Sequence, residues 1–134
     1  MAIWQYELLL VPTKALDIGV IKSGLSSLLP LAVGWSDTLQ MWGEVDGNRI
    51  ELYDDGTPPE LLVRFDLQKP SPHFLLSVLE FARCWNYEIT GTEGNPIPLT
   101  TEGLVTAIMH SPSFRFVSNP QGFLESLREQ DGGI

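Results

Sequence analysis

The chain has one cysteine, Cys84, in 134 residues, so no intrachain disulfide can form and stability has to come from a packed core. Nothing marks a disulfide-stapled secreted scaffold, and the expected compartment is the reducing cytoplasm. Bases are also scarce, with 8 lysines and arginines against 17 acids and a net charge of −9. Nucleic-acid affinity comes largely from cationic side chains displacing counterions, so this balance argues against DNA, RNA or anionic lipid as a partner. No apolar run approaches the ~18 residues that would span a bilayer. The start, Met1-Ala2-Ile3-Trp4-Gln5, lacks the basic region of a signal peptide. Common catalytic signatures are missing too, with no His-Glu-x-x-His, Gly-x-Gly-x-x-Gly, phosphate loop or Gly-x-Ser-x-Gly. Neither a metal nor a cofactor is expected.

What is present suits a folded domain. Hydrophobic residues make up 43% and charged residues 19%, far from the composition of disordered chains. A chain of this length buries roughly two-thirds of its unfolded surface. With no internal repeat and no low-complexity tract, residues 1–128 read as one domain and 129–134, with Gly132 and Gly133, as a flexible tail. Ile3 to Val11 reads as a strand closed by Pro12, showing Trp4, Tyr6 and Leu8 on one face. Residues 14–34 carry Gly19, Gly24, Pro30 and Gly34, which predicts a loop and one short helix.

The middle of the chain carries the clearest pattern. Leu39 to Val45 and Asn48 to Asp54 flank Asp46-Gly47, the dipeptide favoured in a two-residue type I′ hairpin turn. That turn would set Val45 opposite Asn48, Glu44 opposite Arg49, Trp42 opposite Glu51 and Met41 opposite Leu52. Met41, Ile50 and Leu52 would then face the core, with Trp42, Glu44, Arg49, Glu51 and Tyr53 on the other side. After a turn at Asp54 to Pro59, Glu60 to Leu67 alternates as a third strand, giving a central three-stranded antiparallel meander.

Ser71 can cap a helix with Pro72 at its first position, and Phe74, Leu75, Val78, Phe81, Ala82 and Trp85 recur at helical spacing. This helix is expected on the Met41, Ile50 and Leu52 face. Tyr87 to Thr90 follows as a short strand, a helix capped by Thr100 or Thr101 carries Leu104, Val105 and Ile108, and Phe114 to Val117 reads as a strand. Asn119-Pro120 would cap a last helix. The fold class is therefore α+β, a mostly antiparallel sheet packed by two or three helices.

Candidate chemistry is sparse. Cys84 falls near the end of its helix, where the dipole disfavours a thiolate, and His73 lies about three turns away at the opposite end, so a catalytic cysteine is not expected. The adjacent acids Asp54 and Asp55 precede Gly56 as ordinary turn chemistry, and a carboxylate-pair enzyme is the alternative reading. More informative is the charge distribution, because seven acids and two bases lie between Glu44 and Asp66, more than half of the net charge. With Trp42 and Tyr53 on the same strands, this makes Trp42, Glu44, Glu51, Tyr53, Asp54 and Asp55 the candidate binding residues for a basic protein. The competing expectation is that the two aromatics are packed under another element. A structural or regulatory subunit with a purely apolar contact is a third reading. The chain is expected to be a monomer or weak homodimer.

The segments Gln40-Met41-Trp42-Gly43, Asp46-Gly47-Asn48-Arg49-Ile50 and Phe114-Arg115-Phe116-Val117 resemble small uncharacterised bacterial proteins with no known active site. The build is also similar to that of bacterial immunity proteins, small acidic cytosolic domains that neutralise a partner toxin by occluding its surface. That resemblance implies a non-enzymatic, immunity-type inhibitor and transfers no individual residue.

Overall fold

The computed structural model describes residues 3–15, 17–32, 39–53, 59–117 and 119–125. Six antiparallel strands, β1 (Gln5–Pro12), β2 (Leu39–Gly43), β3 (Arg49–Tyr53), β4 (Glu60–Asp66), β5 (Tyr87–Gly91) and β6 (Pro96–Ile97), form one sheet in the order β2-β3-β4-β1-β5-β6. The meander β2-β3-β4 is present but not central, because β1 returns between β4 and β5 and the meander becomes one flank. Helices α1 (Ile18–Leu28), α2 (Pro72–Cys84) and α3 (Thr101–Met109) complete the α+β fold. The tail 129–134 lies outside the described residues.

Local signals explain each helix. Asp17 caps α1 by accepting from Gly19 N and Val20 N, and Gly24 lets α1 approach α2, since a Cβ there would stand 2.9 Å from the Phe81 ring. Ser71 accepts from Phe74 N with Pro72 in the first turn, as the sequence predicts for α2. Thr100 caps α3 by accepting from Gly103 N. Phe74, Leu75, Val78, Leu79, Phe81 and Ala82 of α2 join Ile21 and Leu25 of α1 and Leu8, Leu10, Ile50, Leu52, Leu61, Val63, Phe65 and Ile89 of the sheet in one core.

The hairpin departs from its predicted register by one residue. Trp42 pairs with Ile50, Met41 with Glu51 and Gly43 with Arg49, while Glu44 N donates to Asn48 O at 3.0 Å. The positive φ falls at Gly43 (+93°) rather than at Asp46-Gly47, and a Cβ at Gly43 would overlap the Asn48 carbonyl oxygen. Val45, Asp46 and Gly47 make the tip of a longer loop, closed by Gly47 N donating to Glu44 O. Because side chains alternate along a strand, the slip exchanges the faces of β2. Trp42 is 1% exposed in the core with its Nε1 donating to Ser26 Oγ on α1, whereas Met41 lies on the opposite face. The predicted Glu44–Arg49 cross-strand pair is absent, since Arg49 stands opposite Gly43 and Arg64.

A second departure is the segment predicted as a strand from Phe114 to Val117, which is a 3-10 helix at Pro112–Phe116. Pro112 pre-sets the first helical position, and the Ser113 hydroxyl donates to the Ile3 and Gln5 carbonyls, seating the segment against β1 instead of extending the sheet. Beyond it, Asn119 Oδ1 accepts from Gly122 N, the cap expected from Asn119-Pro120.

Two outcomes test this architecture. Phe81→Ala should lower unfolding free energy by about 3–5 kcal/mol in urea titration, as for a fully packed aromatic, and a loss below about 1 kcal/mol would contradict its core position. Burial raises the Tyr87 hydroxyl, which donates to Pro59 O, from its ordinary value near 10 to about 12. Stability from keeping it protonated is complete below pH 10 and is lost as pH rises towards 12, because the unfolded chain releases the proton first. Thermal melts should therefore fall across that interval, less steeply for Tyr87→Phe.

Candidate functional site

The sheet face turned away from the helices carries the charge that the sequence places on the meander, but in an ordered network. Arg49 and Arg64 stand directly opposite each other on β3 and β4, a repulsive arrangement unless anions intervene. Glu51 forms an ion pair with Arg49 and lies 3.8 Å from Arg64 Nη1, and Glu7 of β1 takes Arg64 Nε at 3.0 Å. Tyr53 donates its hydroxyl to Glu51 Oε2 at 2.9 Å. Burial, then this hydrogen bond and the Glu51 charge, raise the Tyr53 hydroxyl above its ordinary value. Arg49 and Glu51 are each 2% exposed.

The six residues predicted to form one binding face are therefore not gathered into one. Trp42 belongs to the core and Glu51 to the buried ion pair, so neither is offered to a partner. Glu44 is exposed at the hairpin end of the sheet, and Tyr53, 42% exposed, sits at the other end of β3. Asp54 and Asp55 lie outside the described residues.

The hairpin end gathers residues that the sequence reading passed over. The Gln5 side chain, buried on β1, donates through Nε2 to Gly47 O (2.7 Å) and Val45 O (3.1 Å), and Trp4 Nε1 donates to Asp46 O (2.9 Å). Asn48 Oδ1 accepts from Asp66 N at 2.9 Å. The loop is thus folded across the end of β4 onto β1, with Glu44, Val45 and Asp46 left facing solvent. A polar residue at a strand start is an ambiguous signal, since nothing local to Gln5 names carbonyls some 40 positions away.

Beside this end opens a cleft of about 770 Å³, where β1 runs past the last β1–β5 pair, Leu8 with Gly91. The β5–β6 turn forms one wall, closed by Gly91 N donating to Asn95 O and Gly94 N to Gly91 O, with Gly94 at φ +85°. The other wall is α3, drawn close because Gly103 packs where a Cβ would stand 2.8 Å from Pro98 O. Tyr6, Glu7, Glu93, Glu102 and His110 are among its lining residues, and among the described residues no lysine or arginine lines it. Burial raises the Tyr6 hydroxyl, and its ring stacks on Phe65 at 6.4 Å. His110 Nδ1 lies 2.9 Å from Thr106 O, a hydrogen bond that puts a proton on Nδ1. Among the described residues, no group of three His, Cys, Asp or Glu side chains could hold a metal ion, and no helix is long and apolar enough to cross a membrane. Cys84 is exposed and free.

No protein-family model, curated protein or solved structure matches the chain.

The ion network yields its own prediction. Glu51→Ala removes the carboxylate paired with buried Arg49 and should destabilise by about 3–5 kcal/mol, whereas Arg49→Met combined with Glu51→Leu should recover most of that loss. Urea titration of the two variants checks it. Equal losses in both would mean that packing, and not uncompensated charge, dominates there.

Proposed function

We propose that this chain is a non-enzymatic protein-binding module, of the immunity type its build resembles, that meets a basic partner through the hairpin end of the sheet. The observation that carries this reading is the tethered loop. Trp4 and Gln5 fix the carbonyls of Val45, Asp46 and Gly47, so Glu44, Val45 and Asp46 are held in place before a partner arrives. Ordering a loop in advance removes part of the entropic cost of association. The exposed side chains combine charge with apolar area, since Val45 is 52% exposed and Ile3, the residue before Trp4, is 62% exposed. Lys69 and Arg115 are the exposed bases on neighbouring segments. A net charge of −9 would steer a cationic surface towards this end, and a free exposed thiol at Cys84 fits a reducing cytoplasm. A carboxylate-pair enzyme has less support, because Glu7 and Glu51 are each neutralised by arginine.

The test is capture from native lysate, repeated with Glu44→Lys combined with Asp46→Lys. Both positions are exposed, so the variant should keep the melting temperature of the parent within a few degrees. A basic protein should be recovered in stoichiometric amount by the parent chain, released as salt is raised, and lost with the variant. Recovery of the same proteins by both chains would defeat the reading.

A further inference from the structure

The sheet leaves part of one strand edge open, and we infer that an extended peptide segment of the bound partner adds there as a strand against Glu7, a reading that rests on the protein-binding function proposed above. β1 is paired unequally on its two sides. β4 runs along Gln5 to Leu10, whereas β5 reaches only as far as Leu8, opposite Gly91. A strand residue in an antiparallel pair sends its N–H and C=O to the same side, and successive residues alternate. The direction at Glu7 follows from its neighbours, since Trp4 O accepts from Leu67 N on the β4 side and Thr13 N donates to Asn86 O on the β5 side. Odd-numbered residues of β1 therefore face β5, and the backbone of Glu7 points to the cleft, where no strand among the described residues pairs with it. The Ser113 hydroxyl, donating to Ile3 O and Gln5 O, marks the same side further along.

β5 stops short because the chain turns, with Gly91 N donating to Asn95 O and Gly94 at φ +85°. The turn and α3 wall a space of about 770 Å³ bordered by Tyr6 and Glu7, within the range of roughly 300–1,000 Å³ typical of ligand pockets. Three residues of added strand need about 10 Å of its length. In the antiparallel sense that prolongs β5, the residue opposite Glu7 exchanges hydrogen bonds with it and the next residue lies opposite Tyr6. That second side chain shares the helix face with Tyr6, whose ring stacks on Phe65, and Ile97 and Ala107 line the same cleft, so an apolar group is selected there. Main-chain bonds then hold the peptide while one side-chain position reads its sequence. A net charge of −9 favours basic residues flanking it.

The probe is the peptide acetyl-Lys-Thr-Val-Thr-Lys-amide, which sets valine opposite Tyr6 and a threonine opposite Glu7, followed by backbone amide resonances during titration. It should shift Glu7, Thr92 and Thr106, and at saturation slow hydrogen exchange at the Glu7 amide. The same peptide N-methylated at both threonines keeps every side chain but loses the donors facing β1, and should bind roughly tenfold more weakly, the scale of one or two lost hydrogen bonds. Because that control alters the peptide alone, it is independent of folding. Thr106→Trp, at an exposed position of the α3 wall, should block the cleft and abolish the response while the variant spectrum keeps native dispersion. Equal binding of the methylated peptide, shifts confined to another surface, or no response would each overturn the inference. If the parent chain captures a basic partner that is lost on reversing Glu44 and Asp46, yet no peptide pairs at Glu7, the binding function stands and the added strand falls. Pairing at Glu7 by a chain that captures no partner through the loop would sustain the strand edge and remove the loop reading.

Discussion

The register of β2 against β3 depends on the left-handed backbone at Gly43, because a side chain there would overlap the Asn48 carbonyl and only glycine admits the turn at that point. Strand side chains alternate with period two, so this residue decides that Trp42 joins the cluster under the helices and Met41 is buried on the opposite face. The rest of the meander follows from that choice. With Trp42 inside, its indole reaches Ser26 and ties α1 to the flank of the sheet. With Arg49 and Glu51 on the opposite face, the loop between them and β2 can bend over β4 and be held by Gln5 and Trp4.

The buried ion pair works in the same direction as Gly43. A pair of this kind gives little net stability, since the desolvation of both ions offsets most of their attraction. It does penalise the alternative. Slipping β3 by one residue would turn Arg49 and Glu51 towards Leu75, Val78 and the other apolar groups under the helices, and would separate them from Arg64 and Glu7. Opposed arginines at 49 and 64 thus make sense only in the observed register, where Glu51 and Glu7 stand next to them.

A consequence for function is that charge counted along the sequence overstates charge offered to a partner. Glu7 and Glu51 are absorbed by arginine, and Asp66 is turned to accept from the Gln68 and Lys69 amides. What remains exposed at the hairpin end is Glu44 and Asp46, with Glu93 bordering the cleft. The two sets meet around the first residues of β1, which hold the loop on one side and line the cleft on the other.

The sequence by itself determined the α+β class, the extent of α2 and its Ser71-Pro72 start, a cap for α3 at Thr100 or Thr101 and the existence of the meander. Each of these rests on interactions between residues a few positions apart, or on a hydrophobic period that one segment carries alone. Only the tertiary structure decided the strand order, the hairpin register and the site. Asp46-Gly47 is the stronger local turn signal, yet the loop closes through Gly43 and through carbonyls held by Gln5 from about 40 residues away, a partnership with no periodicity to read. Phe114 to Val117 alternates like a strand, but the hydroxyl of Ser113 finds its acceptors on β1 only when the segment coils. The cleft is likewise made by the end of β1, a turn near residue 93 and the face of α3, and residues that distant meet only after the sheet has assembled around β1.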